Sequence, residues 1–231
     1  MRHPYSSAAF GVVAVALGAT LFAARGGHRT AARDAEVALP APTVDARATA
    51  GLDTAVFAGG CFWGVEGVFE HIRGVVSATA GYAGGTVKSP SYEDVSSGDT
   101  GHAESVQVVY DPSKVSYGQL LQVFFSVAHD PTELNRQGPD VGTQYRSAIF
   151  YRDAEQKAAA QAYVAQLEKA KLFKQHIVTQ IAPLQGFNVA EDYHQHYMQL
   201  HPDAAYIAYN DAPKLVALKK EFPGLWRDGW S

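Results

Sequence analysis

Thr54–Glu66 reads TAVFAGGCFWGVE. Val56 and Phe57 end a short apolar run that fits a buried strand. Gly59 and Gly60 follow, and glycine adopts backbone angles that other residues resist, so the pair predicts a tight turn. From Cys61 onward, Phe62, Val65, Phe69 and Ile72 recur at helical spacing. The reading is strand, Gly-Gly turn, then Cys61 on the first turn of a helix. Cys61 is the single cysteine of the chain. Unpaired N–H groups and the positive end of the helix dipole favour an anion there. The expectation is a thiol that ionises readily, because the thiolate is the nucleophilic form. Phe62 and Trp63 should wall the sulfur with apolar surface. Two blander readings stay open. A lone cysteine is often an inert small hydrophobe in a core. A strand–Gly-Gly–helix turn can also cradle phosphate, although no Lys-Ser/Thr pair follows this one.

At 231 residues the chain is one domain plus extensions, long enough to bury a good core. A net charge of −4 gives no reason to expect nucleic acid or acidic membranes as partners. One cysteine excludes an internal disulfide and any cysteine-rich metal cage. The nine histidines do not form HExxH, and His194 and His196 are two apart, which splays them on a helix. No metal and no cofactor is expected, and the chain is read as a monomer.

Residues 1–26 stand apart. Arg2 and His3 precede an uncharged run, Ala8–Ala24, and Arg25, His28, Arg29 and Arg33 follow it. This fits a signal peptide or an N-terminal membrane anchor, so the domain is expected to be exported: periplasmic or membrane-anchored. Residues 27–52, rich in Ala, Thr, Pro and Arg, read as a flexible linker. The folded domain then spans 53–231.

Within it, strands are predicted at Val75–Ala80, Glu104–Tyr110, Ser147–Tyr151 and Ile177–Ile181. Ser116 caps one helix, Asp153 with Gln156 opens another running to about Lys171, and Glu191–Leu200 reads as a third. The tail is mostly irregular, with a short helix from Pro213. Gly81–Gly101 and His129–Thr143 are long polar loops, and loops of that length in a compact domain are usually functional. The order βαββαβαβ points to an α+β fold, a two-layer sandwich with helices on a mixed sheet.

Those loops hold Tyr92 in SPSYEDV, Glu104 in SGDTGHAES, and Asp140 and Tyr145 in RQGPDVGTQYRS, while AEDYHQHYM holds His194 and Tyr197. Taken with GCFWGVE, GYAGG, YDP and HDPT, these segments resemble the A-type peptide methionine sulfoxide reductases over roughly residues 54–197. The resemblance rests on several long independent motifs in the family's order. It implies a split β-α-β core and reduction of the S epimer of methionine sulfoxide, free or in proteins. Cys61 is then the nucleophile, Phe62 and Trp63 the cage for the substrate methyl group, and Glu104 the acid at the sulfoxide oxygen. Tyr92 and Tyr145 would hydrogen-bond that oxygen, Asp140 would hold a water or the substrate backbone, and Tyr197 would line the pocket. His194 reads either as a structural histidine or as a group supporting the site.

The chemistry is consistent with those roles. A sulfoxide oxygen leaves poorly unless protonated, and a carboxyl desolvated by aromatics keeps its proton near neutrality. Attack by Cys61 leaves a sulfenic acid, which a thiol must reduce. Many members of the family carry further cysteines near the C-terminus that do this internally. Here the segment after Tyr197 has none, so the reductant must be an external thiol: thioredoxin, glutaredoxin with glutathione, or a periplasmic dithiol protein.

Two other functions compete. A thiol peroxidase or Cys–His hydrolase would need a histidine near the thiol. His71 lies ten residues on, about 15 Å at helical rise, leaving His102 or His194. A membrane-tethered module that binds apolar side chains through its aromatics would not need the thiol at all.

Overall fold

The computed structural model describes residues 38–48 and 50–231. The apolar run Ala8–Ala24 lies outside the described residues. Among those described, no helix is long and apolar enough to cross a membrane.

The elements in order are β1 (Asp53–Gly59), α1 (Phe62–Glu70), β2 (Val75–Ala83), α2 (Tyr92–Ser96), β3 (Ala103–Tyr110), α3 (Tyr117–Val123), β4 (Arg136–Gln137), β5 (Asp140–Val141) and β6 (Ser147–Tyr151). Then come α4 (Ala154–Ala170), β7 (Gln180–Pro183), β8 (Phe187–Val189), α5 (Tyr197–Leu200) and α6 (Ala212–Glu221). Six strands form one sheet in the order β7-β6-β1-β3-β2-β8, and β4 and β5 make a small separate hairpin. Within the inner four, the pairs β6-β1, β1-β3 and β3-β2 are antiparallel. β1 and β2 therefore run the same way with β3 between them, the split β-α-β arrangement. β7 adds in parallel to β6, which makes the sheet mixed.

Strand alternation assigns the two faces. Phe57 pairs with Val106, Ala80 with Val106 and Tyr82 with Glu104, so these side chains share one face. That face carries the main core, with Val108 and Tyr110 of β3 and Phe62, Val65 and Phe69 of α1. The opposite face carries a smaller cluster of Val56, Ala58, Ala103, Ala148 and Phe150. Glu104 is thus a carboxylate on the core face of a central strand, beneath the start of α1.

α1 is buried on nearly every side. Its glycines permit this: a Cβ on Gly64 would lie 2.0 Å from Asp211 Oδ1, and one on Gly67 would lie 2.8 Å from Met198 Cε. The C-terminal segment therefore seats directly on the α1 backbone.

Several expectations need correction. Residues 38–48 read from composition as linker, yet they lie against α3 and α4. Leu39 is buried in the main core, its N–H donates to Ser126 Oγ, and Tyr163 OH donates to the Pro40 carbonyl. Asp45 accepts from the Gly118 N–H at 2.6 Å. Composition reports the lack of helical period, but not a docking groove made by other segments. The helix predicted over 191–200 is a 3-10 turn, Asp192–His194, followed by α5. Between them His196 is left-handed at φ +54°. Tertiary bonds win there: the Gln195 side chain bonds both the N–H and the carbonyl of Ala80, and the His196 N–H donates to Glu66. The Gly81–Gly101 loop contains α2, capped by Ser91 and Asp94. The strand expected at 177–181 runs instead from Gln180 to Pro183, where an edge position tolerates the missing proline N–H. The helix expected from Pro213 is present as α6, ten residues long with the proline in its first turn.

Candidate active site

Cys61 is the N-cap residue of α1, one position before the predicted helical turn. The Gly59–Gly60 turn that delivers it is tight for a visible reason. Gly60 sits at φ +91°, and a Cβ there would lie 2.5 Å from Gln137. A Cβ on Gly59 would lie 3.0 Å from the buried His129, whose two ring nitrogens bond the Phe124 carbonyl and Ser147 Oγ.

The Glu104 carboxylate reaches this helix start, with Oε2 accepting from the Phe62 N–H at 3.0 Å. Burial pushes its pKa up to about 8, and the charges of Asp140 and Asp211 add to the shift while the Phe62 N–H opposes it. Glu104 therefore holds its proton at neutral pH. The thiol behaves differently from the sequence expectation. Burial pushes Cys61 well above the ordinary cysteine range, and Glu104, Asp211 and Asp140 reinforce this. The Trp63 N–H at the helix start does favour the thiolate, but burial outweighs it. The resting group is a thiol beside a carboxylic acid.

The aromatic wall is assembled from several elements. Phe62 is buried and packs on Tyr82, with ring centroids 5.9 Å apart. Trp63 is half-buried, and Tyr197 stacks on its ring at 3.8 Å with an interplanar angle of 10°. Tyr197 therefore braces the indole. His194 accepts from Trp63 Nε1 at 3.2 Å and packs against Phe62 and Tyr92. Burial lowers its pKa, so it is neutral, and a neutral ring that accepts at Nδ1 carries its proton on Nε2. His194 is then a brace and no base for the thiol. His102 has both ring nitrogens engaged, with Gly85 N–H and the Val87 carbonyl. His71 packs on Trp226 and Trp230. None of the three supplies the base a Cys–His hydrolase needs.

Tyr92 on α2, Tyr145 in the turn before β6 and Asp140 on β5 all lie near enough to Cys61 to interact with it electrostatically. The Tyr145 hydroxyl is raised by burial and then by the charges of Glu104, Tyr92, Asp140 and Cys61, so it stays protonated as a donor. The Tyr92 N–H donates to Glu191 at 2.8 Å, and Tyr82 OH donates to the same carboxylate at 2.9 Å.

Three site groups escaped the sequence reading. Tyr206 OH donates to Asp140 Oδ2, and its ring meets the edge of Trp63 at 5.8 Å. Asp211 and Lys214 form a buried ion pair at 2.9 Å under Gly64. Glu191 ties α2 to β2. The glycine spacing of α1 was the available signal for a close helix neighbour, but it names no partner.

A thiol and a proton-bearing carboxyl that share an aromatic wall on an α+β sandwich make up a candidate enzyme active site. Comparison with known proteins gives the family. The family model described as peptide methionine sulfoxide reductase matches residues 53–224. The peptide methionine sulfoxide reductase MsrA 2 of Mesorhizobium japonicum is 57% identical over 185 residues, covering 80% of this chain and 95% of that protein. The namesake from Synechocystis is 50% identical over 188 residues, covering 80% and 88%. Among solved structures, methionine sulfoxide reductase A of Corynebacterium diphtheriae aligns at a TM-score of 0.58 with 35% identity, covering 77% of this chain and 90% of that one. Reduced Mxr1 of Saccharomyces cerevisiae aligns at 0.62 with 34% identity, covering 70% and 92%. The chain belongs to the peptide methionine sulfoxide reductases of the A type, and it is an oxidoreductase.

Proposed function

We propose that this chain reduces the S epimer of methionine sulfoxide, free or in proteins, with Cys61 as nucleophile and an external thiol as reductant. The observation that supports it most is the proton-bearing Glu104 at the Phe62 N–H, immediately after Cys61. Glu104 protonates the sulfoxide oxygen, with the Tyr92 and Tyr145 hydroxyls stabilising the charge that develops. Protonated sulfoxide is a cation, and in a dry pocket it draws the neighbouring thiol toward thiolate. Phe62 and Trp63 hold the methyl group, Trp63 being fixed by His194 and Tyr197.

Cys61 sulfur attacks the sulfoxide sulfur, and the oxygen is transferred, leaving a thioether and a cysteine sulfenic acid. The thiol proton returns the carboxyl to its starting state. An external thiol then condenses with the sulfenic acid, forming a mixed disulfide and releasing water. A second thiol releases Cys61 by exchange and leaves as a disulfide. Thioredoxin, glutaredoxin with glutathione, or a periplasmic dithiol protein each fits this chemistry. The run Ala8–Ala24 and its basic flanks support export, which fractionation of the intact chain tests.

The test is one turnover on separate S and R epimers of a blocked methionine sulfoxide without reductant. The S epimer should give one equivalent of methionine and a protein mass gain of one oxygen. Cys61→Ser should give neither. An unmodified mass with a free thiol after methionine release, or equal turnover of both epimers, refutes the reading.

A further inference from the structure

Further along α1 lies a second group of ionisable side chains that the reductase chemistry does not use. Glu66 and Glu70 are one helical turn apart, so they project from the same face. Each is only 1% exposed. One oxygen of each is engaged by the same residue: Glu66 Oε2 accepts from the His196 N–H at 3.0 Å, and Glu70 Oε1 lies 2.5 Å from His196 Nδ1. The other two, Glu66 Oε1 and Glu70 Oε2, are buried without a well-formed hydrogen bond, with only the Ala80 N–H nearby on the Glu66 side. Ligand atoms from the three side chains lie within 4.8 Å of one another.

A carboxylate out of water with an unfilled oxygen is costly, and two side by side are more so. The Arg227 guanidinium approaches, but its hydrogen bonds go to carbonyl oxygens, Glu70 O at 2.5 Å and Val75 O at 3.3 Å. Among the described residues, the His196 ring is thus the side chain hydrogen-bonded to Glu70, and Glu66 is held by the His196 backbone N–H.

We propose that Glu66, Glu70 and His196 form a binding site for a divalent transition-metal ion of the zinc class. Two carboxylates and one imidazole are a donor set that zinc accepts, with water in the remaining position. Calcium and magnesium want more oxygen ligands than the cluster supplies. The donor atoms must draw in by about an ångström to meet an ion at roughly 2.0 Å. His196 Nδ1 exchanges its bond to Glu70 for one to the ion. The His196 side chain is 45% exposed, which gives the ion a route from solvent.

The placement gives the site a task. His196 lies between His194 and Tyr197, the two side chains that brace Trp63. An ion at the cluster ties that brace to α1, whose first residues are the cage. It acts as a clamp on the cage and takes no part in the sulfur chemistry.

The experiment titrates the chelator-treated full chain with zinc by calorimetry and follows thermal unfolding with and without zinc. One ion should bind per chain and raise the Tm, and magnesium and calcium should do neither. Glu70→Gln and His196→Gln should each weaken zinc binding by about tenfold or more. Both variants should keep the parent circular dichroism without metal, which separates a lost site from a lost fold. Cobalt as a spectroscopic probe should bind without a thiolate charge-transfer band, which sets Cys61 apart. No zinc-dependent rise in Tm, zinc binding in both variants equal to the parent, or a thiolate band with cobalt overturns the proposal.

Discussion

Replacing Glu104 by glutamine separates two consequences of one buried carboxyl. Glu104 is 3% exposed, and burial lifts it from 4.5 to about 8. A folded-state pKa above the unfolded value means that the folded chain holds the extra proton between those two pH values. Stability is then highest below about pH 4.5 and falls as pH rises toward 8, because folding must bury a charge the unfolded chain exposes. A shift of about 3.5 units corresponds to roughly 5 kcal/mol as an upper bound, and relaxation of the site reduces it to a few. Glutamine cannot ionise, and its amide oxygen can still accept from the Phe62 N–H. The variant should match the wild type near pH 4 and exceed it in stability near pH 8.5, by about 2–4 kcal/mol in urea denaturation. Glu66 and Glu70 impose the same pH slope on both chains and cancel in the difference. Sulfoxide reduction should nevertheless drop by about 10²–10⁴-fold in the chemical step, as expected for loss of a general acid. A stability difference that does not change with pH would sink the buried-acid argument. An unchanged single-turnover rate would remove Glu104 as the acid.

Gly64→Ala puts a methyl group 2.0 Å from Asp211 Oδ1 and 2.7 Å from Lys214 Nζ, so the buried pair must move. The expected cost is about 1–3 kcal/mol in urea denaturation, and a neutral result would mean that α6 is not seated as described. Leu39→Ala should cost about 2–5 kcal/mol, because the side chain is 3% exposed in the main core. A cost below about 0.5 kcal/mol, the range of a surface change, would show that residues 38–48 behave as a linker after all.

Most of the framework was legible because it is local. Alternation in β3, the glycine turn before Cys61 and the Ser116 and Asp153 caps are patterns of neighbours, and each appears where it is written. The aromatics beside Cys61 were named by the family motifs, which give positions but not supports. What failed depended on distant partners. Nothing near His196 announces a left-handed residue, because Glu66 and Ala80 impose it from elsewhere in the chain. The Asp140–Tyr206 and Asp211–Lys214 pairs are silent for the same reason.

Cys61 shows where the division falls. The sequence alone determined that one thiol exists, that it opens a helix and that no second thiol can close an internal disulfide on it. From those facts the helix dipole predicts an easy thiolate. Tertiary structure decided the opposite: burial, Glu104 and Asp211 hold the thiol protonated, and the same burial keeps Glu104 protonated at neutral pH. A dipole at a helix start is a local property of a few residues. Desolvation is the sum of everything packed around a group, and it exists only when the chain has folded.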